Sequence, residues 1–73
     1  MLLDLQTKAL RAMREAIANL YTKNLPEFYA SVGMARAHEE LIWELFNIHL
    51  VEVDADFSAL LEIALDNWKT INL

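Results

Sequence analysis

The side chains with the most chemical potential in this chain are His38 and His49, and both lie in one apolar stretch. It runs Met34-Ala-Arg-Ala-His-Glu-Glu-Leu-Ile-Trp-Glu-Leu-Phe-Asn-Ile-His-Leu50. At roughly 100° per residue, two positions eleven apart return to nearly the same side of an α-helix. On one continuous helix the two imidazoles therefore stack near the middle of the apolar face. Metal ligation is the first chemistry to test, with His38, His49 and Glu52 as the candidate ligands. His38-Glu39-Glu40-Leu41-Ile42 opens like the helix motif of zinc proteases, but Ile42 stands where the second histidine belongs. A di-iron bundle needs Glu three residues before each histidine, and Ala35 and Phe46 occupy those places. His49 and Glu52 share an ion only if the helix runs on past Leu50. No metal and no cofactor is expected.

Other chemistries fare no better. Asp54-Ala-Asp56-Phe-Ser58 resembles the start of a calcium loop, yet Ala59 replaces the required glycine and Leu65 the closing acid. Asp54 reads instead as a helix N-cap with Asp56 in the first turn. His38-Glu39 opens like a phospho-acceptor box, but that role needs solvent and His38 sits on the apolar face. There is no cysteine to act as a nucleophile and no glycine-rich phosphate loop. The acids fall mostly on polar helix faces, where solvated charge is their ordinary role. The expectation is a protein that is not an enzyme.

Helices must position these groups. One glycine and one proline in 73 residues leave no room for the turns of a multi-stranded sheet. The sequence predicts an all-α fold, a three-helix antiparallel bundle with helices over about 2–24, 26–49 and 55–71, in a single domain spanning 1–73. In the first helix Leu3, Leu10, Met13, Ile17, Leu20 and Tyr21 form the apolar stripe. Only Gln6 interrupts it. Asp4, Lys8, Arg11, Glu15, Ala18 and Thr22 share the opposite face. Asn24-Leu25-Pro26 breaks the chain, since Pro disfavours helix before it and suits the first turn of a new one. In the third helix Phe57, Leu60, Leu61, Ala64, Trp68 and Ile71 line up.

The second helix is expected to be the central one. Its apolar arc runs from Ile48 and Leu41 through Ile42 to Phe46 and Val32, with Trp43 at the margin. That is roughly 200°, against the ~100° stripe of a surface helix. One neighbour cannot cover it. Ser31, His38, Leu45 and Glu52 recur every seven residues within the arc, beside Ala35, Ile42 and His49. This is a seam with polar residues in core positions, a device that sets register. In an antiparallel dimer about this helix, His38 of one copy approaches His49 of the other.

Composition agrees with assembly. The hydrophobic fraction is 56%, above the usual 45–50%, on a chain too short to bury much of its own surface. Net charge is −5, which argues against direct contact with nucleic acid. Residues 1–25 carry +2, from Lys8, Arg11, Arg14 and Lys23 against Asp4 and Glu15, and the remainder is acidic. No segment approaches the ~20 apolar residues of a membrane span. Met1-Leu2-Leu3 meets Asp4 at once, so no signal peptide is expected and the expected compartment is the cytoplasm.

The functional expectation is a small protein–protein interaction module, a regulator, adaptor or inhibitor acting as a homodimer. Its expected contact residues are Tyr29, Arg36, His38, Ile42, Trp43, Leu45 and His49. Two alternatives stand beside it. One is a metal- or ligand-binding bundle built on His38 and His49, and the other is an acidic mimic of DNA that inhibits a DNA-binding protein.

Overall fold

The computed structural model describes residues 1–72, with side chains through Lys69. It is all-helical, with four helices packed together: α1 (Leu2–Tyr21), α2 (Leu25–Phe46), α3 (Leu50–Val53) and α4 (Ala55–Asn72). Three long helices match the predicted segments. The fourth, α3, is a single turn in the stretch expected to be non-helical. Ile71, the last member of the predicted stripe of α4, has its side chain outside the described residues.

Local chemistry sets the boundaries. α1 ends in a Schellman arrangement: the Lys23 N–H donates to Leu20 O at 3.1 Å and the Asn24 N–H to Asn19 O at 2.8 Å. Lys23 takes the left-handed backbone, φ 60°, where glycine is usual. Pro26 then sits in the first turn of α2, where the missing N–H is not needed. The far end of α2 corrects the prediction. Asn47 turns left-handed, φ 58°, and the helix stops at Phe46 rather than running to His49. Asn tolerates this backbone better than most residues. The turn brings Leu50 into the core at 1% exposed and half-buries Ile48. Burial of two aliphatic side chains favours the break over three more residues of helix.

Asp54 starts α4 as the sequence suggests. Its Oδ1 accepts the Phe57 N–H at 3.1 Å, and its Oδ2 accepts the Gln6 amide at 2.7 Å. The glutamine that breaks the stripe of α1 thus ties the start of α1 to the start of α4. The Gln6 hydrogen bond foremost holds the Asp54 carboxyl below the usual carboxylate range. Burial opposes it, and the Phe57 and Asp56 backbone N–H groups and the Arg14 charge add to it. A carboxylate with a depressed folded-state pKa stabilises the fold fully above its unfolded pKa, near 4. That stability is lost as pH falls through the folded value. Asp54→Ala is therefore expected to cost about 1–2 kcal/mol at pH 7. In urea unfolding followed by circular dichroism, the gap from the parent should close below about pH 4. A gap independent of pH would show that the charge of Asp54 contributes nothing.

α1, not α2, is the hub. It packs along both α2 and α4, whereas α2 and α4 approach each other little. The face α1 buries is also not the predicted one. Leu3 is 74% and Tyr21 69% exposed, while Ala9 and Ala16 are fully buried, with Leu5, Ala12, Met13 and Leu20 nearly so. The buried arc is rotated by roughly 90° from the predicted stripe, counted at 100° per residue. Leu10 and Ile17 lie half-buried at its edge. Alanines let helix backbones come close, and the row Ala9, Ala12 and Ala16 supplies a smooth surface for that approach. The opposite face, Asp4 to Thr22, is exposed as expected, with an Asp4–Lys8 ion pair at 3.3 Å.

Candidate functional site

Because α2 and α4 both lean on α1 and hardly on one another, a groove opens between them. Met13 of α1 forms its floor. Two cavities of about 210 and 410 Å³ share Met13, Val32, Leu61 and Leu65, and so make one continuous channel. At one end Trp68 Nε1 donates to the Tyr29 hydroxyl at 3.0 Å, tying the end of α4 to the start of α2. At the other end the channel reaches Phe57 and Val51, with Arg36 and Glu39 on the α2 wall.

Helical spacing builds both walls. On α2, Tyr29, Val32, Arg36 and Glu39 face the groove, while Phe28, Ser31, Ala35 and Ile42 are buried about 80° further round, counted at 100° per residue. On α4, Leu61, Leu65 and Trp68 line it, and Phe57 and Ala64 complete the floor. Tyr29 is 51% and Leu65 50% exposed. These are large apolar surfaces in a concave setting, which distinguishes them from scattered exposed residues. Arg36 and Glu39 are the charged groups of the lining, and neither forms an ion pair within 4 Å among the described residues.

The predicted contact residues divide. Tyr29 and Arg36 lie on the groove. Trp43 continues their row toward the end of α2, where its ring stacks on His49 at 4.1 Å and 14°. Ile42 is fully buried inside the chain, so its side chain is already covered. Leu45, half-exposed, points roughly 150° away from the groove, by the same helical count. His38 lies on the other side of α2, beside Lys8, Arg11 and Glu15 of α1, and its Nδ1 donates to Met34 O at 2.7 Å.

The stacked histidines are thus a correction. The left-handed turn at Asn47 takes His49 off the helix that carries His38, and the two no longer share a face. The seven-residue row through Ser31, His38, Leu45 and Glu52 breaks at the same point. Glu52 lies in α3, its backbone N–H bonded to His49 O at 3.0 Å, with both side chains exposed. Among the described residues no group of three or more His, Cys, Asp or Glu side chains is placed to hold a metal ion. No helix among them is long and apolar enough to cross a membrane.

The groove residues that sequence reasoning did not single out as contacts include Met13, Val32, Glu39, Leu61, Leu65 and Trp68. A signal existed in the alternating three- and four-residue spacing of 29, 32, 36 and 39. Reading it required knowing that α1 takes only the adjacent row. Comparison with protein-family models, with curated proteins and with solved structures gave no match, so the site is read from its own geometry.

Proposed function

We propose that this chain is a small non-enzymatic protein–protein interaction module that works as a helical homo-oligomer assembled through α2. The observation that carries this reading is the open groove between α2 and α4. Its length, apolar floor and half-exposed walls suit an amphipathic helix laid into it. Three long helices with a channel along one side have the outline of a four-helix bundle short of one member. The aromatic groups along this side, Tyr29 with Trp68 on the groove and Trp43 stacked on His49 beyond it, are of the kind that anchor interfaces. The acidic outer faces would then remain available to a second, basic protein.

The test is sedimentation over a wide concentration range. Association is expected at micromolar concentration for the parent. Leu65→Glu, which puts a charge into the groove wall at a half-exposed position, is expected to weaken it at least tenfold, equivalent to about 1.4 kcal/mol. Its helical content should be unchanged. A parent chain that stays monomeric at several hundred micromolar would overturn the reading.

A further inference from the structure

We infer that the occupant of the groove is a second copy of this chain, packed antiparallel along α2 about a twofold axis between residues 37 and 38. The inference rests on the homo-oligomer reading above and adds its register. Along α2, Tyr29, Val32, Arg36 and Glu39 line the groove, and the same helical spacing carries this row on through Trp43 and Phe46, both exposed. The steps alternate three and four, the spacing of the two core positions of a heptad seam. Every member is at least partly exposed. The row spans about 26 Å of helix at 1.5 Å per residue, within a molecule 36 Å long.

Antiparallel seams set one type of core position opposite the other, and this row is self-complementary only when read that way. With the axis between 37 and 38, Arg36 of each copy faces Glu39 of the other. Val32 then faces Trp43, and Tyr29 faces Phe46. Each layer is either a pair of apolar groups or a pair of opposite charges. A twofold interface repeats each pairing, so both unpaired charges of each groove find partners at once. A shift by one heptad would place Arg36 against Phe46 or Glu39 against Tyr29, leaving charge against a ring. The two charges therefore fix register as polar groups in an apolar seam do.

Charge also argues for a second copy over a basic stranger in this groove. The chain carries −5 overall, but the α2 row carries one positive and one negative group. The seam itself is neutral, and repulsion between copies comes from the outer faces, where salt screens it.

The experiment exchanges the charges. Arg36→Glu alone gives each copy a seam with two acids, and Glu39→Arg alone gives one with two bases. Arg36 is exposed and Glu39 partly so, so at concentrations where both are monomeric each variant should melt like the parent. Each alone is expected to associate about tenfold or more weakly, since two attractive contacts become repulsive. An equimolar mixture of the two variants is expected to associate like the parent, because every acid again faces a base. The chain has no cysteine, so Val32→Cys and Trp43→Cys supply an independent readout. Oxidation of the mixture should join one variant to the other in preference to either with itself.

Three results overturn the inference and are distinguishable. If the parent dimerises but the charge variants neither weaken alone nor recover when mixed, this register is wrong and the homo-oligomer reading stands. If the parent is monomeric throughout, both fall. Parent-like dimers that cross-link Val32→Cys to itself more readily than to Trp43→Cys also reject this antiparallel register.

Discussion

Phe57→Ala is expected to remove about 3–5 kcal/mol of folding free energy. Phe57 is 2% exposed and is among the largest fully enclosed side chains of the molecule. It occupies the third position after the Asp54 cap, whose carboxylate accepts its N–H. The same residue therefore anchors the start of α4 through its backbone and floors the groove through its ring. A domain of this length has a total stability of roughly 4–11 kcal/mol at ordinary values per residue. A loss of about 3–5 kcal/mol is roughly a quarter to a half of that at the upper end and most or all of it at the lower. Urea unfolding followed by circular dichroism measures it directly. Phe57→Leu, which keeps most of the volume, should cost about 1–1.5 kcal/mol. A loss under 1 kcal/mol for the alanine variant would mean that the ring is not part of the core.

The segments were legible because their signals are local. Pro26 after Asn24-Leu25 marks a break whatever the tertiary structure does, and Asp54 followed by Phe57 and an apolar period marks a cap. The excess apolar arc of α2 was legible too, as a helix with more surface to cover than one neighbour can supply. What the sequence hid is which neighbour covers which part. Weighting residues by size pointed the face of α1 toward Leu3, Leu10 and Tyr21. Close approach of backbones selects by smallness instead, and the row at Ala9, Ala12 and Ala16 won. That rotation makes α1 the hub and leaves α2 and α4 apart, so the groove could not be read before the packing was known. The histidine seam failed for a different reason. One left-handed residue, Asn47, ends the periodicity on which it depended, and the benefit lies in burying Ile48 and Leu50, which no helical count over 34–50 contains.

The face of α1 can be tested by enlarging it. Ala16→Leu is expected to destabilise the fold by about 1–3 kcal/mol, because three added carbons must enter a position with no exposed surface. Ala18→Leu, on the exposed side of the same helix, should stay within about 0.5 kcal/mol of the parent. The rotated alternative, with the large side chains facing the core, makes the opposite prediction. In that arrangement Leu3→Ala and Tyr21→Ala would create cavities and cost 2 kcal/mol or more, roughly the range for buried truncations. Ala16 would then sit at the rim, where leucine adds apolar cover at no cost. With the alanine face inward, Leu3→Ala and Tyr21→Ala should each fall within about 0.5 kcal/mol of the parent. Ala16→Leu, Leu3→Ala and Tyr21→Ala thus form a set whose outcomes change together, with Ala18→Leu as the control. Urea midpoints at unchanged m-value are sufficient to read it, since a shift in midpoint alone reports stability. Ala16→Leu also carries a consequence for the groove. A wedge between α1 and its partners would displace Met13, one turn away on the same buried face, and with it the floor on which a second copy rests. Its association should weaken along with its stability, whereas Ala18→Leu should leave both unchanged.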